Sequence, residues 1–212
     1  MQAQFRQKPI FVPIINHLWT PNNNSILIVK KWFEQLYGLC EVRPLDTWMM
    51  TKENFKAVIR KLIGNATSIC FYICLQGKQY INEKTHQPEE FLMINERERI
   101  QDVELSNFIN SLKWRNLCMF LEVCHGGGLI NTIKLDDTIR DMANANIVIF
   151  NVCSKEKKCY VVKKDGQSIG EAAQTIYSHQ INPFSNPSKA LEILKRIYPH
   201  LHTKVTIIKN LS

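Results

Sequence analysis

The sequence predicts an α/β fold, a three-layer sandwich in which a mostly parallel sheet of about six strands has helices on both faces. Two observations lead to this prediction. Short apolar runs alternate along the chain with longer segments whose apolar residues recur at helical spacing. Strands that alternate with helices of this length imply right-handed crossovers and parallel neighbours. The chain has 212 residues, of which 45% are hydrophobic, so we expect a single domain over residues 1–212.

The strands are recognised as short apolar runs bounded by turn residues. The first run lies between Pro9 and the turn-rich segment 20–25. The runs that end at Leu75 and Val123 are almost continuously apolar, as is typical of strands buried on both faces. The predicted strands are Ile10 to Ile15, Cys40 to Leu45, Ser68 to Leu75, Leu117 to Val123, Asn146 to Val152 and Val205 to Ile208.

The helices are recognised by apolar residues at helical spacing and by residues that begin or end a helix. Gly38 and Gly64 are the expected C-terminal stops of the first two helices, and Thr51 precedes the second. The packed side of the first helix is expected to include Leu27 and Leu36. The predicted helices are Ser25 to Gly38, Thr51 to Ile63, Gln101 to Leu112, Ser168 to Tyr177 and Pro187 to Tyr198.

Composition and charge indicate a cytoplasmic protein that binds neither membranes nor nucleic acid. The apolar runs are too short to span a bilayer, and no early run has the flanks of a signal peptide. Seven cysteines without a C-x-x-C pair indicate a reducing compartment. The formal net charge is +8, but the basic residues are spread along the chain, and the dense stretch from Lys155 to Lys158 is typical of a solvated loop.

Two predicted strands end in residues that could carry chemistry. In open α/β sheets, functional groups gather at the carboxyl ends of the strands. The third strand runs into Gln76 and Gly77, and the fourth runs into Cys124, His125 and glycines 126–128. A cysteine followed by glycines can have backbone amides free to bind an oxyanion, which suits a thiol nucleophile. On these residues alone, a structural cysteine beside a glycine-rich turn is the favoured explanation of the segment.

The order of elements and the two strand ends resemble the caspase superfamily, and most closely the metacaspases. In that family the third strand ends in Tyr-Ser-Gly-His-Gly and the fourth in Asp-x-Cys-His-Ser-Gly. Residues 71–77 match the first motif with Gln76 at the histidine position, and residues 122–127, Glu-Val-Cys-His-Gly-Gly, match the second. The resemblance extends over most of the chain, from about residue 9 to about residue 199.

The resemblance implies a role for each residue of these segments. It implies that Cys124 occupies the nucleophile position and that the backbone of Gly77 contributes to an oxyanion site. It also implies substrate contacts from Glu122, His125 and Gly126, in which Glu122 favours a basic side chain. A polar residue that points out of the sheet is the alternative for Glu122. We expect no prodomain, because no long death-type or proline-rich extension precedes the predicted domain.

The departure from the family is Gln76 at the position of the base. An amide does not titrate near neutral pH, so it can neither take the thiol proton nor protonate the leaving amine. Cys124 then depends on its own acidity, with a thiol pKa of about 8.5 and only a few per cent thiolate at neutral pH. His125 should point away from Cys124 on an extended segment, and His86 lies in a polar excursion, so neither is expected to replace the base.

Three functions remain open from the sequence. The first is a pseudo-protease that binds a peptide or protein partner or regulates a caspase-family protease, with an implied link to proteolysis and cell death. The second is an active cysteine endopeptidase that uses another base and prefers basic residues. The third is a non-proteolytic binding module. The oligomeric state also remains open.

Neither a cofactor nor a metal ion is expected. His200 and His202 have no companion ligand at a suitable spacing for zinc. The acidic pair Asp136 and Asp137 offers too few oxygens for calcium, which takes about six to eight.

Overall fold

The computed structural model describes residues 7–18, 24–112, 114–123, 146–151, 171–197 and 204–209. The strands in these segments are β1 (Ile10–Ile15), β2 (Glu41–Val42), β3 (Leu45–Asp46), β4 (Ser68–Cys74), β5 (Gln76–Ile81), β6 (Pro88–Met93), β7 (Arg99–Gln101), β8 (Asn116–Leu121), β9 (Asn146–Asn151) and β10 (Lys204–Lys209). The helices are α1 (Asn24–Tyr37), α2 (Lys52–Ile63), α3 (Asp102–Asn110), α4 (Glu171–Ser178) and α5 (Pro187–Ile197).

The large sheet has the order β10-β9-β8-β4-β1-β2, with β3 also paired to β1. All pairs are parallel except β9 with β10, which is antiparallel. Because β2 and β3 follow one another along the same side of β1, the sheet is six strands wide although it contains seven strands. The predicted α/β class and the mostly parallel sheet are therefore confirmed.

The second predicted strand, Cys40 to Leu45, is interrupted in the structure. β2 ends at Val42 and β3 begins at Leu45, and both pair with β1. The backbone N–H of Arg43 still donates to the carbonyl of Phe11, but the next residue, Pro44, has no N–H to continue the ladder. The single predicted strand is thus two short ones with a proline between them.

Helices cover both faces of the large sheet, as the sequence predicts. On one face, called the α2 side, buried residues of α2 and α3 pack on the sheet, including Phe55, Ile59 and Phe108. On the other, called the α1 side, buried residues of α1, α4 and α5 pack on sheet residues that include Tyr72 and Phe120. Burying a large apolar side chain contributes about 1.5–3 kcal/mol, so these two layers supply most of the driving force for folding.

Capping residues in the sequence determine where α1 ends and where α2 begins and ends. The Thr51 side chain accepts a hydrogen bond from the backbone N–H of Asn54, so it caps α2 as expected. Gly38 and Gly64 have φ angles of 84° and 53°, a backbone region that favours glycine, and both stand directly after a helix.

One prediction about α1 is wrong. Leu27 and Leu36 are 57% and 38% exposed, whereas Val29, Trp32 and Phe33 are buried. The apolar stripe that meets the sheet is therefore narrower than the sequence pattern indicated, because a helix turns by about 100° per residue and Leu27 falls outside the arc centred on the buried residues.

The segment between β4 and α3 forms a second sheet that the sequence pattern did not predict. Strands β5, β6 and β7 pair in this order, and both pairs are antiparallel. One face of this small sheet is buried, with Leu92 and Ile100 both inaccessible to solvent, and it packs among the residues of the α2 side. The polar residues between 79 and 90, which read as an excursion, belong largely to a hairpin.

Four cysteines in the described segments are free thiols: Cys40, Cys70, Cys74 and Cys118. Cys70 and Cys118 are completely buried on the α1 side, and burial raises the pKa of Cys118 to about 12. They act as small hydrophobic residues, as expected. Among the helices that the structure describes, none combines the length and apolar character required to cross a membrane.

Candidate functional site at the carboxyl edge of the large sheet

The ends of β4 and β8 lie side by side. The two strands are parallel, and their register pairs Ile73 with Leu121. Beyond this pair, the backbone N–H of Glu122 donates to the carbonyl of Ile73 at 2.9 Å. Gln76 follows Ile73 by three residues, and Cys124 follows Leu121 by three residues. The described strands therefore bring the first motif and the beginning of the second, Glu122, to one edge of the sheet, which the sequence alone could only assume.

The structure describes half of the predicted site residues. Gln76, Gly77 and Glu122 lie within the described segments, whereas Cys124 and the pair His125 and Gly126 lie outside them. The roles assigned to these last three residues stay predictions.

Gln76 opens β5 and is exposed to solvent. A single residue, Leu75, separates it from the end of β4, so the chain passes directly from the large sheet into the small sheet. Gly77 follows in β5 and pairs with Leu92 of β6. The exposed position of Gln76 leaves its carboxamide able to contact a bound molecule, but an amide supplies no titrating group at this strand end.

Glu122 turns its carboxyl group toward the α1 side, not out of the sheet. Its Oε2 accepts a hydrogen bond of 2.5 Å from the hydroxyl of Tyr72, which is 1% exposed. Its Oε1 is buried and has no hydrogen-bond partner in the described segments. The residue as a whole is partly exposed, so the carboxyl group is hidden while another part of the residue remains in contact with water.

The environment of Glu122 favours the protonated carboxyl group. Burial raises the pKa of Glu122 above its ordinary value, against the lowering effects of the Tyr72 hydroxyl and of the backbone N–H of Ala173 in the first turn of α4. Burial, together with the nearby Glu122 carboxylate, also raises the pKa of Tyr72, so the phenol keeps its proton and donates.

A histidine that sequence reasoning missed lies at the same edge. His17 follows β1, and its Nδ1 lies 2.6 Å from Oδ2 of Asp46, the last residue of β3. Because an ionised carboxylate only accepts hydrogen bonds, Nδ1 of His17 donates to Asp46. The Trp48 ring contacts the imidazole edge-on, with 5.6 Å between ring centroids. His17 is thus held in one orientation, as an oriented base would be.

Asp46 is itself fixed by its neighbours. Partial burial would raise its pKa, but hydrogen bonds from the His17 ring and from the backbone N–H groups of Trp48 and His17 outweigh that effect and lower it. The Trp48 N–H lies 3.1 Å from the second carboxylate oxygen, Oδ1. Functional groups gather at the carboxyl ends of the strands in open α/β sheets. If this rule had been applied to every predicted strand end, and not only to those with a known motif, it would have indicated both His17 and Asp46.

His17 and Cys124 follow strands that are not neighbours. β1 pairs with β4 on one side and β8 pairs with β4 on the other, so β4 lies between them. Adjacent strands are about 4.8 Å apart, which places β1 and β8 about 10 Å from each other. β4, the neighbour of β8 on this side, ends at Cys74, two residues before Gln76.

His86 lies far from this edge. It is in the turn between β5 and β6, with a φ angle of 53°, and its backbone N–H donates to the carbonyl of Asn82. β5 runs from Gln76 to Ile81, which corresponds to about 17 Å of extended chain. His86 therefore stands at the end of the hairpin opposite to Gln76. Among the described residues, no three acidic, histidine or cysteine side chains cluster as a metal site would need.

Comparison with protein-family models finds no match, and comparison with curated proteins finds none either. Among solved structures, the chain is similar to the crystal structure of Raptor from Chaetomium thermophilum, with a TM-score of 0.41 and 11% sequence identity. The similar region covers 73% of this chain and 16% of the Raptor chain. A TM-score this low carries no argument about fold or function.

Proposed function

We propose that this chain is a caspase-like pseudo-protease, which keeps a peptide-binding site at the carboxyl edge but has lost peptide-bond hydrolysis or slowed it strongly. It then acts by binding a peptide or protein partner, with a caspase-family protease among the candidates. The observation that carries the proposal is the register of β4 and β8, which brings Gln76 and the segment before Cys124 to adjacent strand ends.

The chemistry at these strand ends supports binding without turnover. Gln76 can donate and accept hydrogen bonds but cannot carry a proton between a thiol and a leaving amine. Fold and binding do not depend on the base, because the packing of the core is independent of one exposed residue at a strand end. The basic side chain in the bound peptide is the part of the proposal that rests on the resemblance alone, because the buried carboxyl group of Glu122 favours its protonated form.

A direct test compares turnover of reporter peptides cleaved after arginine, lysine or aspartate. We expect no turnover by the wild type at rates typical of caspase-family enzymes. Gln76→His should restore measurable hydrolysis or covalent capture by an electrophilic peptide, because a positioned general base contributes about 10²- to 10⁴-fold. Lys78→His, which adds a histidine two residues further along β5, is the matched control and should restore nothing.

Two outcomes would contradict the proposal. Robust wild-type turnover that Cys124→Ala abolishes would make the chain an active peptidase. Equal gains in Gln76→His and Lys78→His would mean that position 76 is not where the proton carrier is missing, whereas no gain in either variant would mean that other parts of the site have changed too.

The oriented pair of His17 and Asp46 favours a second candidate, an active cysteine endopeptidase with His17 as its base. The intervening strand β4 counts against it, because His17 follows a strand that lies two strand spacings, about 10 Å, from β8, the last described strand before Cys124. The rate of thiol alkylation against pH separates the two candidates. Under the second candidate, His17→Ala would slow the alkylation of Cys124, and under the first it would leave the rate at every pH unchanged.

A further inference from the structure

The outward face of the small sheet combines two aromatic rings with two cations. In an antiparallel pair, directly opposite residues point to the same face, and residues along one strand alternate between faces. Lys78 lies opposite Phe91, and Gln76 lies opposite Met93, which in turn lies opposite Arg99. Tyr80 is two residues after Lys78 in β5, so both side chains lie on the same face of the small sheet. We call the exposed surface formed by Lys78, Tyr80, Phe91 and Arg99 the Arg99 face.

The Arg99 guanidinium is held in place by the two rings. Its central carbon lies 4.6 Å from the centroid of Phe91 and 4.9 Å from that of Tyr80. The rings meet edge-on, with 5.5 Å between their centroids. Stacking occupies the flat surface of a guanidinium and leaves the N–H groups at its rim free to donate. Arg99 and Lys78 are exposed, and Tyr80 is 40% exposed, so a ligand can reach all three.

Arg99 has no carboxylate partner in the segments that the structure describes. Glu89 is the carboxylate on the same face, opposite Tyr80, and its Oε1 already accepts a 2.6 Å hydrogen bond from the side chain of Asn82. Glu90 lies between Glu89 and Phe91 in β6, so its side chain points to the other face of the small sheet. It is 2% exposed, which places it on the buried face. An oriented guanidinium without an anion is a good match for an incoming carboxylate, which it can bind through two parallel hydrogen bonds.

We infer that the Arg99 face binds an acidic side chain of the same peptide that the carboxyl-edge site holds. This inference rests on the proposed function, because it needs a peptide near Gln76. Gln76 and Arg99 are separated by two strand spacings, about 9.6 Å, which corresponds to about three residues of extended peptide. The carboxylate is therefore expected about three residues from the peptide residue that lies beside Gln76, and the proposed function takes that residue to be the basic one.

A peptide fits this face better than a nucleic acid. Affinity for nucleic acids accumulates from several phosphate contacts, whereas this face offers two cations beside the carboxylate of Glu89. The planar rim of one stacked guanidinium suits a single carboxylate, and Tyr80 offers an apolar surface for the adjoining peptide backbone.

The test measures the binding of fluorescein-labelled peptides to the full chain by fluorescence anisotropy. Each peptide carries one arginine and a glutamate three residues before or after it, and matched peptides carry glutamine in place of the glutamate or of the arginine. We expect the wild type to bind one glutamate peptide about 5- to 10-fold more tightly than its glutamine counterpart.

Protein variants assign that preference to the Arg99 face. Arg99→Ala should abolish the preference, and Arg99→Lys, which keeps the charge but not the planar rim, should lose most of it. Arg97→Ala is the matched control, because it removes an exposed cation from the turn before β7, and it should keep the preference.

Each remaining outcome is decisive. If binding requires the arginine of the peptide but ignores the glutamate, the inference is wrong and the proposed function stands. If replacing the arginine of the peptide also has no effect, or no peptide binds, both are wrong. Binding of single-stranded oligouridine that Arg99→Ala weakens, without any peptide preference, would assign the face to nucleic acid and overturn the inference.

Discussion

Two pairs of ionisable side chains lie at the carboxyl edge of the large sheet. Their hydrogen bonds are similar in length, but one pair is exposed to water and the other is buried. Beside β1 and β3, His17 and Asp46 lie 2.6 Å apart, with side chains 51% and 45% exposed. Beside β4 and β8, the Tyr72 hydroxyl lies 2.5 Å from a carboxyl group of Glu122 whose other oxygen is buried. The pKa of Asp46 is lowered and that of Glu122 is raised.

This difference shows that a short hydrogen bond does not by itself decide the charge of a carboxyl group. Near water, the hydrogen bonds to Asp46 outweigh the small cost of partial burial. In the interior, the loss of hydration at Glu122 outweighs a hydrogen bond of about the same length. Along one edge of one sheet, depth therefore separates a carboxylate that orients an imidazole from a carboxyl group that tends to keep its proton.

The largest expected effect is that of removing the buried hydroxyl. Tyr72→Phe leaves Oε2 of Glu122 without its donor, and an unsatisfied buried acceptor costs about 1–3 kcal/mol. Urea unfolding at neutral pH should show this loss in the free energy of unfolding. Tyr80→Phe, at a ring 40% exposed, is the control and should change the free energy of unfolding by less than about 0.5 kcal/mol. Equal losses in both variants would show that the Tyr72–Glu122 bond contributes nothing specific.

A smaller effect is expected from removing the charge of Glu122. Its folded-state pKa is raised, so its contribution to stability is complete below the unfolded pKa of about 4.3 and is lost as pH rises through the folded value. Glu122→Gln cannot titrate. The free energy of unfolding of the variant relative to wild type should therefore increase with pH between about pH 4 and about pH 8. A difference that stays constant across this range would contradict the raised pKa.

The smallest effect is expected at the exposed pair. The pKa of Asp46 is lowered, so its contribution to stability is present above the unfolded pKa of about 3.9 and is lost as pH falls through the folded value. Because both side chains are about half exposed, Asp46→Asn should cost less than about 1 kcal/mol at neutral pH, and added salt should reduce the cost further. Thermal unfolding at low and high salt measures this. A larger loss of stability that does not depend on salt would mean that the His17–Asp46 pair behaves as a buried ion pair.

Much of the fold could be predicted because its signals are local. The strand from Ile10 to Ile15 has the predicted bounds, and α2 begins after Thr51 and ends before Gly64 as its sequence indicates. Each of these signals acts over a few residues of chain. The split at Pro44 was also visible in the sequence, since a proline inside a strand removes a hydrogen-bond donor, but the apolar pattern around it masked the interruption.

The small sheet could not be predicted from apolar pattern alone. β5 has no buried residue, and its stability as a strand comes from pairing with β6 and from the buried face that Leu92 and Ile100 provide. Such pairing depends on contacts between strands, which a window along one segment does not contain.

The sequence by itself determined the α/β class, most of the elements and the absence of a titrating side chain at position 76, because composition, periodicity and residue identity do not depend on contacts distant along the chain. Only the tertiary structure decided which groups meet at the carboxyl edge. His17 and Asp46 are 29 residues apart, and Tyr72 and Glu122 are 50 apart. The parallel register of β1, β3, β4 and β8 joins them, and the depth at which each pair then lies sets its charge.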